Sequence, residues 1–206
     1  MIIKPNSILL FQGDSVTDCY RDRLDDSKLG NSHVPMIYEY LKQYNIKVIN
    51  RAIAGNRVDH LLNRFEKDFK QVNPDYLVLL IGVNDTWHDF PNQKTNEVFE
   101  KEFDLLLSKI KNEMNCDVLI LEPFILGFKK EYIIMRDDLH QKIEIIKKIS
   151  KKYNTEYLSF EHELILEACA RAPFEFSGNS SSFEKLTKLR HYGLISNFEI
   201  ENIGSK

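Results

Sequence analysis

The alternation of short apolar runs with longer amphipathic segments is the feature of this 206-residue chain that most constrains its fold. Five runs have the composition of β-strands, and they occupy residues 7–12, 46–50, 75–81, 117–122 and 156–159. The third and fourth runs are almost continuously apolar, as expected of strands that helices cover on both faces. We therefore expect these two strands to be central in a sheet.

Segments of helical periodicity lie between and after the strand candidates. Leu61, Phe65 and Phe69, for example, form one apolar stripe. The helical segments are residues 34–45, 57–72, 95–114, 131–153 and 161–171. Because crossovers between parallel strands are right-handed, this order predicts an α/β fold, a three-layer α/β/α sandwich around a central five-stranded parallel sheet. We expect a single domain that spans residues 1–206.

Charge and hydropathy exclude several classes of partner and compartment. The 28 Lys and Arg residues against 31 Asp and Glu residues give a net charge of −3, so we expect neither nucleic acid nor a membrane as partner. The longest apolar runs are far shorter than the roughly 20 residues of a membrane-spanning helix. The first residues lack the apolar core and cleavage site of a secretory signal, so we expect a cytoplasmic protein. The scattered Cys19, Cys116 and Cys169 are expected to be reduced thiols.

Polar segments that contain glycine follow the first three predicted strands, at residues 12–18, 52–56 and 82–88. In a parallel sheet the carboxyl ends of the strands form one edge, where ligands bind. Ser15 comes directly after a strand, a position that exposes a serine for nucleophilic attack. The backbone N–H groups of Ser15 and Gly55 and the side-chain amide of Asn84 come from different strand ends and could converge on one oxyanion.

Three sequence blocks occur in these segments in a fixed order. They are Gly-Asp-Ser at 13–15 with Thr-Asp at 17–18, Asn-Arg-Ala-Ile-Ala-Gly-Asn at 50–56, and Gly-Val-Asn-Asp at 82–85. Together they resemble the SGNH (GDSL) hydrolase superfamily, serine esterases on a flavodoxin-like α/β/α sandwich. The resemblance implies that Ser15 is the nucleophile and that Ser15 N–H, Gly55 N–H and the Asn84 side chain form the oxyanion hole. It also implies that Asp14 orients the first loop.

Longer stretches at residues 11–18, 81–87, 117–124 and 168–173 resemble the bacterial branch that includes carbohydrate acetylesterases. This similarity extends to about residue 176. It implies hydrolysis of short acyl esters, acetyl esters of a carbohydrate in particular, through an acyl-Ser15 intermediate. The substrate is then a small-molecule ester, and no cofactor or metal is expected. Residues expected to bind the substrate are Asp14, Asn56, Asp85, Trp87 and His88.

The superfamily's last block, an Asp-x-x-His that supplies the general base and the carboxylate that orients it, is not found. Alignment of residues 186–191 puts Ser182 and Lys185 where Asp and His are expected, and no Asp follows Asp138. Three explanations stay open. The chain is a degenerate, weakly active or inactive member, it uses another histidine, or the reading frame has been altered between about residues 176 and 186.

His191 is the histidine nearest in sequence to the missing block and is our candidate for the general base. Its alternative role is that of a structural histidine near the start of the final helix. Lys185 could act as base only if burial lowered the pKa of its amine substantially. His88 follows the third block and is expected to line the pocket.

Two other functions fit the same fold. A degenerate member of the superfamily would bind an acylated ligand without turnover, which the missing Asp-x-x-His favours. A flavodoxin-like nucleotide binder would share the architecture, but the chain has no glycine-rich loop of the kind that cradles phosphate.

Overall fold

The computed structural model describes residues 1–125, 130–159 and 199–200 of the chain. The strands are β1 (Ile2–Ile3), β2 (Ile8–Gly13), β3 (Lys47–Asn50), β4 (Tyr76–Leu80), β5 (Asp117–Leu121), β6 (Glu156–Leu158) and β7 (Glu199–Ile200). The helices are α1 (Ser15–Asp18), α2 (His33–Leu41), α3 (Val58–Asn63), α4 (Val83–Trp87), α5 (Asn96–Glu113) and α6 (Lys130–Lys152), with a 3-10 turn at Lys42–Tyr44 and a π-helical turn at Glu66–Lys70.

Five strands form one parallel sheet in the order β3-β2-β4-β5-β6. Phe11 of β2 pairs with Asn50 of β3 on one side and with Val78 of β4 on the other. Leu79 of β4 pairs with Ile120 of β5. These pairings confirm the predicted five-stranded parallel sheet. The third predicted strand, now β4, lies at the centre, and the fourth, β5, is an inner strand beside it.

The side chains of β4 alternate between two apolar clusters. Val78 and Leu80 pack into the cluster that also holds the buried residues of α2. Leu77 and Leu79, together with Ile81 directly after the strand, pack into the cluster formed with α3, α5 and α6. Because successive side chains of a strand point to opposite faces, the sheet lies between two helical layers, as the sequence predicts.

The predicted helices correspond to α2, α5 and α6, and for residues 57–72 to α3 followed by the π-helical turn. The rings of Phe65 and Phe69 stack at 5.3 Å and keep the predicted apolar stripe across that break. The predicted helix at residues 161–171 lies outside the described residues.

A second parallel pairing joins β1 to β7, with Ile2 opposite Glu199. The sequence did not predict it, since two residues are too few to show a strand period. Cys19 and Cys116 are free thiols, and burial raises the pKa of Cys116 to about 11. None of the helices within the described residues is long and apolar enough to cross a membrane.

Candidate active site

Three loops meet at the carboxyl edge of the sheet, after β2, β3 and β4. The backbone N–H of Ile53, in the loop after β3, donates to the carbonyl of Gly13 at the end of β2, with N···O 3.1 Å. The side-chain amide of Asn84, in α4, donates to the carbonyl of Asn56 at 3.0 Å. Each loop is therefore hydrogen-bonded to its neighbour, and the predicted juxtaposition of the three loops is found.

The first loop turns sharply from β2 into α1 and presents Ser15. Asp14 is buried and caps the helix, since its Oδ1 accepts the backbone N–H of Val16 at 3.0 Å. Gly13 passes so close to β4 that a Cβ atom there would lie 2.3 Å from the carbonyl oxygen of Leu80. Ser15, by contrast, is exposed at the first position of α1. The turn therefore holds a serine hydroxyl open to solvent, as a nucleophile requires.

The second loop is held by two buried polar side chains. Oδ2 of Asp18, at the end of α1, accepts the backbone N–H of Ala54 at 2.7 Å. Oδ1 of Asn50 accepts the backbone N–H of Ala52 at 3.0 Å, while its Nδ2 donates to the Thr17 carbonyl at 2.9 Å. Gly55 adopts the left-handed conformation, with φ +79°. The loop that carries Gly55 is thus fixed to the helix that carries Ser15.

Arg64, which follows α3, supports the second loop from the other side. Its Nη1 donates to the carbonyl of Arg51 at 2.8 Å, and its Nε donates to Oδ1 of Asn56 at 2.9 Å. Burial lowers the pKa of the Arg64 guanidinium, and the carboxylate of Asp68 at 2.9 Å opposes that shift. Sequence reasoning missed this residue, although Arg64 and Asp68 stand at i and i+4 of a predicted helix.

Hydrogen-bond donors of the three loops remain available for a ligand. Asn84 is 8% exposed, and its amide has two N–H donors, of which the Asn56 carbonyl accepts one. The backbone N–H groups of Ser15 and Gly55 donate to no other residue in the described ranges of the chain. Three donors from three strand ends are the arrangement that stabilises an oxyanion in acyl transfer.

Asp85, which the sequence predicts to bind the substrate, is buried. Its two carboxylate oxygens lie 3.4 and 3.3 Å from the backbone nitrogen of Val58, the first residue of α3. Burial raises the pKa of Asp85 to about 6, against the effect of the Lys94 ammonium 3.4 Å away. Asp14, also predicted to bind the substrate, is buried as well, and its carboxyl group caps α1. Both aspartates shape the loops from within.

Lys94 joins Asp85 to two further carboxylates and was missed by sequence reasoning. Its Nζ lies 3.0 Å from Oδ1 of Asp59 on α3 and 2.5 Å from Oε2 of Glu102 on α5. Oxygen atoms of the three acidic residues lie within 4.8 Å of one another, a grouping that could suit a metal ion. The lysine ammonium already supplies a positive charge among them, so we assign no metal to this cluster.

His88 and Trp87 lie at the rim of the site. A Cβ atom built on Gly55 would stand 3.6 Å from Nε2 of His88, so the exposed imidazole lies beside that glycine. Trp87 is 39% exposed, and its ring packs against Tyr132 with a centroid distance of 4.6 Å. Both are accessible to a ligand. The Asn56 carbonyl instead accepts a hydrogen bond from Asn84, and its Oδ1 accepts one from Arg64.

The candidate base, His191, and its neighbours Ser182 and Lys185 lie outside the described residues. Two of the described histidines have other surroundings. His33 is buried with its ring edge-on to Phe11 at 5.7 Å, and Nδ1 of His60 accepts the backbone N–H of Arg57 at 3.1 Å.

Known proteins resemble this chain over most of its length. Residues 11–179 match the family described as GDSL-like Lipase/Acylhydrolase. An acetylxylan esterase from Geobacillus stearothermophilus is 31% identical over 160 residues, which make up 71% of this chain and 73% of that protein.

Solved structures share the fold. The crystal structure of Axe2, an acetylxylan esterase from Geobacillus stearothermophilus, superposes with a TM-score of 0.79 at 25% identity, over 97% of this chain and 98% of that one. Catalytic mutants of Axe2 replace a serine, an aspartate and a histidine by alanine. LAE5, an α/β hydrolase enzyme from the metagenome of Lake Arreo, superposes with a TM-score of 0.75 at 18% identity over 93% and 97% of the two chains, a likeness of fold alone.

Proposed function

The chain belongs to the GDSL-like lipase/acylhydrolase family, and from that membership we propose a serine esterase that removes a short acyl group, acetyl first of all, from a carbohydrate. As a member of the family it is a carboxylic ester hydrolase. The observation that carries the finer proposal is the exposed Ser15 at a strand-to-helix turn, with N–H groups on two neighbouring loops that have no other acceptor among the described residues.

The proposed reaction has two steps at Ser15. Its Oγ attacks the ester carbonyl carbon while a base takes the hydroxyl proton, and the carbonyl oxygen becomes an oxyanion facing the N–H groups of Ser15, Gly55 and Asn84. The oxyanion collapses, the ester bond breaks, and the sugar hydroxyl leaves with the proton from the base. Water, activated by the same base, then cleaves acyl-Ser15 to the free acid and restores the serine. Each donor is worth about 2.7–4 kcal/mol in the transition state.

We keep His191 as the proposed base, with Lys185 as the alternative. The catalytic mutants of Axe2 lie at a serine, an aspartate and a histidine, and this chain has no Asp after Asp138. A histidine without an orienting carboxylate remains a functional but weaker base. We therefore expect slow turnover.

The proposed substrate rests on the rim residues and on the relatives. The Trp87 ring is a flat apolar surface of the kind that packs against a sugar, and the His88 imidazole beside Gly55 is placed to hydrogen-bond a hydroxyl group. Acetylxylan esterases of Geobacillus stearothermophilus resemble this chain in sequence and in structure. An acetylated sugar fits both observations.

The test compares hydrolysis of 4-nitrophenyl acetate and of a peracetylated xylose by the wild type, Ser15→Ala and Ser108→Ala at equal concentration. Ser108 lies on α5, away from the three loops, and its variant should match the wild type. Turnover that disappears only in Ser15→Ala supports the proposal, and equal turnover in Ser15→Ala and wild type contradicts it. If none of the three proteins hydrolyses either ester and the acetylated sugar raises the melting temperature of the wild type, the site binds the sugar without turnover.

A further inference from the structure

Lys94 connects three helices through one ammonium group. It lies between α4 and α5, with a side chain 13% exposed. Its Nζ lies 2.5 Å from Glu102 of α5, 3.0 Å from Asp59 of α3 and 3.4 Å from Asp85 of α4. The lysine is therefore the cation that holds these three carboxylates together.

Two of these carboxylates are close in sequence to the proposed oxyanion donors. Asp85 follows Asn84 in α4, and its oxygens face the backbone N–H of Val58 at 3.3 and 3.4 Å. Val58 comes three residues after Gly55, and Asp59 follows it in the first turn of α3. The lysine thus contacts Asp85, the neighbour of Asn84, and Asp59, which comes four residues after Gly55.

Charge explains why the cluster depends on the lysine. Carboxylates whose oxygens lie within 4.8 Å of one another repel unless a cation or a proton is present. Although burial acts to lower it, the pKa of Lys94 is raised, because Glu102, Asp59 and Asp85 favour the charged ammonium. Although burial acts to raise it, the pKa of Asp59 is lowered by Lys94. Without Lys94, the carboxylates must separate or take up protons.

We propose that Lys94 is a positioning residue of this active site, which sets the spacing between the Gly55 N–H and the Asn84 amide by holding Asp85, Asp59 and Glu102 together. The expected change in kcat rests on the proposed esterase function, whereas the expected coupling between Lys94 and Asn84 does not. Besides Lys94, the groups among the described residues that face Asp85 or its carboxylate neighbours are the Val58 N–H, Asp59, Arg57 and His60 of the α3 region and Glu102 of α5.

The kinetic test compares Lys94→Met with Lys148→Met. Lys148 of α6, like Lys94, pairs with a carboxylate of a neighbouring helix, since its Nζ lies 2.6 Å from Glu100 of α5. Its side chain is 71% exposed, however, and it is far from the three loops in the fold. We expect Lys94→Met to lower kcat about 10- to 100-fold with little change in KM, since small displacements at a reacting centre cost this much. The acid limb of the pH profile should move to higher pH, because Asp85 loses its cation. Lys94→Arg should restore most of kcat, and Lys148→Met should match the wild type.

A nuclear magnetic resonance titration tests the coupling without turnover. In the wild type the side-chain amide signals of Asn84 should follow the ionisation of Asp85 near pH 6, and in Lys94→Met the same transition should occur at higher pH. If Lys94→Met fails to fold, Lys94→Met with Glu102→Gln removes one charge of each sign and takes its place. The proposal is overturned if Lys94→Met is less stable but keeps the kcat and pH profile of the wild type. It is also overturned if the Asn84 signals titrate at the same pH in Lys94→Met as in the wild type. An Asn84 response in a protein that cleaves no ester rejects the esterase function alone.

Discussion

Oδ2 of Asp18 accepts the backbone N–H of Ala54 at 2.7 Å and so fixes the loop of Gly55 to the helix of Ser15. The same oxygen lies 2.9 Å from Nη2 of Arg23, whose side chain is 54% exposed. The contact with Ala54 connects two of the three loops of the candidate site, whereas the contact with Arg23 lies at the surface. The two interactions therefore have different consequences for the enzyme.

Asp18→Ala is expected to lower both stability and activity. Loss of the buried carboxylate removes a charge-assisted hydrogen bond, a change of about 1–3 kcal/mol in the free energy of unfolding. The freed loop should lower kcat about 10-fold. Arg23→Ala is the control, because it removes only the exposed ion pair, worth under about 1 kcal/mol. Urea unfolding and ester hydrolysis measure the two effects, and full activity in Asp18→Ala would contradict this account.

Asn84→Ala tests the amide as an oxyanion donor. Its expected effect is a 10²- to 10³-fold fall in kcat, about the loss measured when one such donor is removed from other hydrolases. KM should change little, because the donor acts on the charge that develops after binding. Asn112→Ala, on the exposed side of α5, should leave kcat unchanged. A loss in Asn84→Ala confined to KM would show that the amide only binds the substrate.

Most of the fold could be predicted from the sequence because buried parallel strands have a distinct composition. The apolar runs at residues 75–81 and 117–122 became β4 and β5, and the interior positions of both follow from their lack of polar faces. The break after Asn63 could not be predicted, because the apolar stripe of residues 57–72 continues through a π-helical turn. Side-chain spacing reports the buried face, whereas the backbone hydrogen bonds also depend on tertiary contacts.

The site was predictable to the level of loops and less so at the level of side chains. Strand order alone places Ser15, Gly55 and Asn84 on one edge. The burial of Asp85 was not predictable, since an aspartate beside a polar block has the same sequence signature whether it faces solvent or α3. Lys94 could not be found at all, because it precedes α5 in a loop and its partner Asp59 lies 35 residues before it in the chain.

Gly13 and Gly55 are expected to respond differently to alanine. At Gly13 the new methyl group meets the carbonyl oxygen of Leu80 at 2.3 Å, and a backbone oxygen in a central strand cannot rotate away. The expected loss is roughly 3 kcal/mol, near the upper end for an overpacked interior. At Gly55 the nearest atom is 3.6 Å away, and the left-handed φ alone costs about 1–2 kcal/mol. Urea unfolding measures the free energy of unfolding of both variants. A smaller loss of stability in Gly13→Ala than in Gly55→Ala would contradict the close approach of Gly13 to Leu80.

Asp85 gives the stability of the protein a pH dependence of defined sign. Burial raises its pKa from 3.8 to about 6, so between these values the folded protein binds more protons at this carboxyl group than the unfolded chain does. Its contribution to the free energy of unfolding therefore falls as the pH rises through this window. At 1.36 kcal/mol for each unit, the full cost above pH 6 is about 3 kcal/mol.

Asp85→Asn isolates that contribution, because the amide oxygen still accepts the Val58 N–H but does not ionise. We expect the wild type to lose about 2 kcal/mol relative to Asp85→Asn between pH 4.5 and 7, since the unfolded aspartate is already mostly ionised at the lower pH. Groups that titrate elsewhere, such as Glu113 with its lysine partners, affect both proteins equally. Urea unfolding at a series of pH values measures the difference. Parallel curves would mean that Asp85 ionises in the folded protein as easily as in water, and that its burial has no energetic cost.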